Sequence, residues 1–223
     1  QHPRAIEDYD KAILLESNKA AIYYNRGLAY VRLDQNPKAI QDFHQATQLD
    51  PDLAMGYYNC GTSYCILSQY DRAIQEFDKA ILLEPDNANA YNNRGSAYNS
   101  LDQHQTAITD YDKAIQLDPT DASAYNNRGT AFFKLGQSQR AIGEFDKAIE
   151  LDPTYASAYY YRANTYTKLG QRQSAVEDFY KAIELNPNDQ AVREKAKEAE
   201  EYLANPDVHF RLGNVALGNQ EYQ

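Results

Sequence analysis

ASAYNNRGTAFFKLGQSQRAIGEFDKAIELDP, residues 122–153, is written out several times along this chain with small changes. Pro51, Pro85, Pro119, Pro153 and Pro187 fall 34 residues apart, and Ser17 holds the same phase one step earlier. A fixed period of that length marks a repeat array built from one supersecondary unit. With these prolines numbered as position 32 of the unit, position 4 is Tyr23, Tyr57, Tyr91, Tyr125 and Tyr159. Position 8 is Gly27, Gly61, Gly95, Gly129 and Ala163, and position 11 is Tyr30, Tyr64, Tyr98, Phe132 and Tyr166. Position 20 is always Ala (Ala39, Ala73, Ala107, Ala141, Ala175), and so is position 27 (Ala46, Ala80, Ala114, Ala148, Ala182). Position 24 is Phe43, Phe77, Tyr111, Phe145 and Phe179.

The spacing predicts two helices per unit. Large residues at 4, 11 and 14 (Leu33, Leu67, Leu101, Leu135, Leu169) line one stripe of a first helix, A, and positions 20, 21, 24, 27, 28 and 30 line a second, B. Small residues at 8, 20 and 27 fall where helices must approach closely, since larger side chains there would overpack the contact. Position 33 reads Asn18, Asp52, Asp86, Thr120, Thr154 and Asn188, all types that cap a helix start, so helix A is expected to begin there. Asn36-Pro37 gives the same signal for helix B of the first full unit.

These residues and this period resemble the tetratricopeptide repeat family over five whole units, from Ala20 to about Asp189. The resemblance implies an all-α solenoid, a right-handed superhelix of antiparallel helix pairs with helices A lining a concave groove. Residues 1–17 are expected to be helix B of an incomplete leading repeat, 18–188 the five repeats, 189–205 a charged capping helix, and 206–223 the start of a further helix A or a tail.

Composition limits the function. The chain has 223 residues, 43% hydrophobic and 24% charged, which is a globular balance. A net charge of −10 argues against nucleic-acid binding, which needs a basic face. No apolar run is long enough to insert in a membrane. Cys60 and Cys65, five apart on one predicted helix, suit neither a disulfide nor a metal pair; two free thiols point to a reducing compartment, the cytoplasm. The chain opens inside a repeat and without Met, as a fragment would, in which case targeting signals are missing. His2, His44, His104 and His209 fall at unrelated phases, so neither a metal cluster nor a nucleophile with its base is expected. Paired acids such as Glu144 and Asp146 recur in every copy and belong to the architecture. No catalytic residue, cofactor or metal is expected.

Two departures from the family pattern stand out. Position 7, usually Leu in the family, is Arg26, Arg94, Arg128 and Arg162, with Cys60 the exception. Position 23, often aromatic there, is acidic: Asp8, Asp42, Glu76, Asp110, Glu144 and Asp178. A guanidinium in a core position needs a carboxylate, so an internal ion-pair ladder is the expected role of these residues.

The candidates to meet a partner lie elsewhere on helix A. Position 6 reads Asn25, Asn59, Asn93 and Asn127, then Tyr161. Carboxamides carry donors and an acceptor, so such a row can hold an extended peptide by its backbone, and it is similar to an asparagine ladder known in the family. The alternative, that Asn is simply frequent at this position, stays open. By resemblance, position 5 (Tyr24, Tyr58, Asn92, Asn126, Tyr160), position 9 (Thr62, Thr130, Asn164) and position 13 (Arg32, Lys134, Lys168) also face the groove, making it mildly basic. Positions 2, 5 and 6 carry no Lys or Arg, which argues against the carboxylate clamp of chaperone-binding members. The expected function is a non-catalytic protein-interaction scaffold that binds an extended peptide or a helix. The alternatives are a substrate-positioning domain of a larger enzyme, and a self-associating module whose chain ends complete one another.

Overall fold

In a computed structural model of the chain, residues 2–204 are described; the expectations for 206–223, including head-to-tail assembly through that segment, lie outside them. The chain divides into two compact units, Gln1–Pro119 and Thr120–Gln223. The first unit holds α1 (His2–Leu15), α2 (Ala20–Arg32), α3 (Asn36–Leu49), α4 (Ala54–Ile66), α5 (Tyr70–Leu83), α6 (Ala88–Ser100) and α7 (His104–Leu117). The second holds α8 (Ala122–Lys134), α9 (Ser138–Leu151), α10 (Ala156–Lys168), α11 (Arg172–Leu185) and α12 (Gln190–Ala204). No strand occurs among the described residues.

Within each unit the helices stack as a solenoid. The pairs α2/α3, α4/α5 and α6/α7 pack most extensively in the first unit, as do α8/α9 and α10/α11 in the second. Helix B packs on the following helix A within a unit, as α1 on α2, α3 on α4, α5 on α6 and α9 on α10, and α4 touches α6 as α8 touches α10.

Position 8 and position 24 fix the pairing. A Cβ added to Gly27 would lie 2.7 Å from Cε1 of Phe43, and Gly61, Gly95 and Gly129 stand in the same relation to Phe77, Tyr111 and Phe145 at 2.8, 2.8 and 2.7 Å. The ring at 24 therefore occupies the space that a side chain at 8 would take. Phe43, Phe77, Phe145 and Phe179 are fully buried, each worth about 1.5–3 kcal/mol of burial. On α12 the apolar side chains Val192, Ala196 and Ala199 cover Phe179 and Ala182, while Lys195 and Glu198 pair on its outer side.

Two expectations are corrected. Helix A starts one residue later than position 33, with N-caps Lys19, Leu53, Asn87, Asp121 and Tyr155. Only Asn87 and Asp121 accept side-chain bonds there, from the amides of Ala90 and Ser123. Position 33 lies inside the turn, where Asp50 and Asp152 accept from the amides of Asp52 and Thr154. The position-14 leucines follow the last helical residue as C-caps; Leu67 still packs partly buried against the core, whereas Leu135 and Leu169 are 39% and 41% exposed.

The A-to-B turn has one geometry throughout. Asp34, Ser68, Asp102, Gly136 and Gly170 at position 15 all have φ between 56° and 76°. The next amide, that of Gln35, Gln69, Gln103, Gln137 or Gln171, donates to the carbonyl of position 11 at 2.9 Å. A left-handed residue followed by this back-bond satisfies carbonyls that the helix end leaves open.

Candidate functional site

Position 7 projects from helix A towards helix B. Arg26 donates from Nε and Nη2 to the two carboxylate oxygens of Asp42, both at 2.7 Å, and from Nη1 to Asp10 of the preceding helix B at 2.6 Å. Arg94 holds Asp110 at 2.8 and 2.7 Å and Asp78 at 2.7 Å. Arg162 holds Asp178 at 2.7 Å twice and Asp146 at 2.6 Å. Arg128 places Nε and Nη2 on one oxygen of Glu144 at 3.0 and 2.7 Å. The position-4 rings of Tyr91, Tyr125 and Tyr159 cover the guanidinium groups at 5.5, 5.5 and 5.6 Å. Hydrogen bonding to Asp42 and Asp110 raises the pKa of Arg26 and Arg94 against the lowering effect of burial. For Arg162 burial is the largest single influence, yet Asp178 and Asp146 outweigh it and the net shift is also upward.

Sequence reasoning misses Asp10, Asp78 and Asp146 at position 25, which complete each grip. The available signal is symmetry: each arginine has one carboxylate 16 residues before it and one 16 residues after.

The second full repeat breaks the pattern at two of the three places and keeps the carboxylate at the third. Cys60 replaces the arginine, Glu76 stands at position 23, and His44 stands at position 25 of the preceding helix. The histidines stay apart from one another, but the stacking of α3, α4 and α5 brings ligand atoms of His44, Cys60 and Glu76 within 4.8 Å of one another, a grouping that their phases in the sequence do not show. His44 Nε2 lies 3.7 Å from Cys60 Sγ and 3.1 Å from the Tyr64 hydroxyl. Cys60 is 1% exposed and Glu76 6%. Burial, then the charge of Glu76, pushes the Cys60 thiol far above its ordinary range, and burial pushes Cys65 up to about 11. Both cysteines are free thiols.

The other face of helix A carries the expected groove residues, and they behave unequally. Asn59 Nδ2 donates to the Tyr24 hydroxyl at 3.1 Å and to the Met55 carbonyl at 2.9 Å, and Asn93 Nδ2 donates to the Tyr58 hydroxyl at 3.0 Å. Position 5 of one repeat thus holds position 6 of the next. Tyr24, Tyr58 and Tyr160 lean on Phe43, Phe77 and Phe179 with ring centroids 5.9, 6.0 and 6.1 Å apart. Burial raises the Tyr58 pKa, with the bond from Asn93 pulling the other way.

Asn92 and Asn126 depart from the expected groove-facing position: they are buried at 6% and 4% exposure. In the fourth repeat the missing position-5 ring is replaced by Tyr161 of the next helix A, which stacks on Phe145 at 6.1 Å. Asn25 is exposed and Asn127 partly buried. At position 9, Thr62, Thr130 and Asn164 bond back to the carbonyls of Tyr58, Asn126 and Tyr160 in their own helices. Arg32, Lys134 and Lys168 at position 13 are exposed, and the Lys168 ammonium sits 5.0 Å from the Phe133 ring centroid. Ile66 at the same position is also exposed, so the face is mixed in character. Beside α10, a cleft of about 200 Å³ is lined by Ser157, Tyr160, Tyr161, Asn186 and Asp189. No described helix is long and apolar enough to cross a membrane.

Comparison with solved structures gives similar folds. YrrB, a TPR protein with an unusual peptide-binding site, is 27% identical with a TM-score of 0.66, the match covering 86% of this chain and 99% of that one. MamA is 28% identical with a TM-score of 0.66, covering 75% and 92%. PilW, a type IV pilus biogenesis factor, is 23% identical with a TM-score of 0.77, covering 92% and 94%, and at that identity shows the fold alone. No match is found among curated protein sequences. The family described as "TPR repeat" matches residues 1–34, 61–102, 95–136 and 129–170, and that described as "Tetratricopeptide repeat" matches 20–53 and 156–189. With the repeat geometry above and these matches across most of its length, the chain belongs to the tetratricopeptide repeat family.

Proposed function

We propose that this chain is a non-catalytic scaffold that binds an extended peptide of a protein partner along the helix A face. The observation that carries this reading is the pairing of Asn59 with Tyr24 and of Asn93 with Tyr58. Each bond ties down the amide nitrogen and so fixes the direction of the carboxamide oxygen. Neither oxygen accepts a hydrogen bond from another described residue. A row of fixed acceptors suits the N–H groups of an extended backbone and is indifferent to its side chains. Arg32, Lys134 and Lys168 favour an acidic segment or a C-terminal carboxylate, and the likeness to YrrB, a protein with a peptide-binding site, supports a peptide ligand over a globular one. The two free thiols suit action in the cytoplasm.

The test is a peptide array probed with the native chain and with Asn59→Ala, Asn93→Ala and Asn127→Ala combined. Losing about one net hydrogen bond of ~1 kcal/mol per rung predicts a drop of tenfold or more in affinity for the best peptides. Equal binding by both proteins refutes the ladder.

A further inference from the structure

At three repeat junctions the chain supplies its own cation. Arg26, Arg94 and Arg162 each fill the space between a position-23 carboxylate and a position-25 carboxylate. At the junction of α3, α4 and α5 that cation is gone: the arginine has become Cys60 and the position-25 aspartate His44, while position 23 keeps its carboxylate as Glu76. A simple loss of the arginine would leave the position-25 aspartate in place. What stands there instead is a thiol, an imidazole and a carboxylate with their ligand atoms within 4.8 Å of one another.

The carboxylate is the group that lacks a partner. Glu76 Oε2 is buried without a hydrogen bond. Its other oxygen takes only the Lys79 ammonium, at 3.2 Å from a side chain that is 52% exposed. A buried carboxylate oxygen left in this state calls for a cation. The thiol–imidazole separation fits one: bond lengths of about 2.0 Å to nitrogen and 2.3 Å to sulfur in a tetrahedral zinc site set the two atoms about 3.5 Å apart, and they lie at 3.7 Å.

We infer that His44 Nε2, Cys60 Sγ and Glu76 Oε2 form a structural site for a divalent ion of the zinc class, which takes the place of the guanidinium at this one junction. Thiolate, imidazole and carboxylate together select a borderline metal such as Zn²⁺ or Co²⁺ over Mg²⁺ or Ca²⁺. On binding, the Cys60 S–H bond breaks, its proton leaves to solvent and a metal–sulfur bond forms. The thiolate and carboxylate then neutralise the ion. The Tyr64 hydroxyl, 3.1 Å from His44 Nε2, or a water takes the fourth position. Cys60 is too deeply covered to meet a substrate, so the cluster is a metal site rather than a nucleophile with its base.

Titration of the full reduced chain with Co²⁺, followed by absorption, tests this. The expected result is saturation at a single equivalent, with a thiolate-to-cobalt charge-transfer band in the near ultraviolet and the intense visible bands of a tetrahedral ion, both lost when Zn²⁺ is added. Cys65→Ser keeps the bands; Cys60→Ser loses them, and Glu76→Gln weakens binding by about tenfold or more. The double variant His44→Asp with Cys60→Arg rebuilds the triad of the other junctions, so it should fold with unchanged helicity and bind no cobalt. Absence of the charge-transfer band with the chain folded and cobalt in excess overturns the proposal, as does a band that survives Cys60→Ser. So does a rise in melting temperature with Zn²⁺ that is the same in the native chain and the double variant.

Discussion

Replacing Arg94 with Met removes the guanidinium and keeps a side chain of similar length. Asp110, whose side chain is only 7% exposed, then loses both of its bonds, at 2.8 and 2.7 Å, and stands as a buried charge without a partner. Breaking a buried pair from one side costs about 3–5 kcal/mol. The lower end applies here, because the Arg94 side chain is 18% exposed and Asp78, its other partner, is 52% exposed and worth at most about 1 kcal/mol. The expected cost of Arg94→Met is therefore about 3 kcal/mol, a large share of a domain's usual 5–15 kcal/mol. Urea unfolding followed by circular dichroism measures it, with a double-mutant cycle to isolate the pair. Asp110→Leu alone should cost a similar amount, while Arg94→Met with Asp110→Leu should return to within about 1 kcal/mol of the native chain, since an apolar pair can replace a buried ion pair. The cost should persist in about 1 M salt, because a buried pair is poorly screened. A loss below about 1 kcal/mol for Arg94→Met, or additive single-variant costs, would refute the claim that this ladder holds helix A to helix B.

Tyr111 stands where the other repeats have Phe, and its hydroxyl donates only a long bond of 3.3 Å to Ser96. Burial, against that bond, raises its pKa above the ordinary value of 10.0. The neutral form is thus favoured in the folded state, so its contribution to stability is complete below about pH 10 and is lost as pH rises above that. Tyr111→Phe should be within about 1 kcal/mol of native near neutrality and more resistant to alkaline unfolding; equal alkaline midpoints for the two proteins would count against it. At position 15, Asp102 has φ of 58° and Gly136 φ of 76°, with nothing within 4 Å of an added Cβ on the glycine. Asp102→Gly should stabilise, and Gly136→Ala destabilise, each by about 0.5–1 kcal/mol through backbone conformation alone. Thermal melts in which the two changes share a sign would contradict this.

The period of 34, the Tyr, Gly, Ala and Phe marks and the proline phase are enough to name α1 to α11, eleven of the twelve described helices, from sequence, because each repeat is a local unit whose apolar stripes can bury only against its neighbours. The small residue at position 8 announces a close approach, and the ring of position 24 is what approaches. Local rules were weaker guides at the edges. Position 33 carries capping residue types yet sits one residue before the N-cap, since a capping side chain and a turn side chain share the same chemistry. The left-handed position 15 is hidden where Asp34, Ser68 and Asp102 stand in for glycine. Side-chain environments were legible only in part. Asn92 and Asn126 look like groove residues by register but are buried. The sequence pairs the position-7 arginines with the position-23 acids, Asp110 among them, but only the stacking of three helices brings Asp78 onto Arg94 as well. His44, Cys60 and Glu76 are each separated by 16 residues and belong to three helices, so no motif joins them; the one-repeat step of the solenoid makes them neighbours.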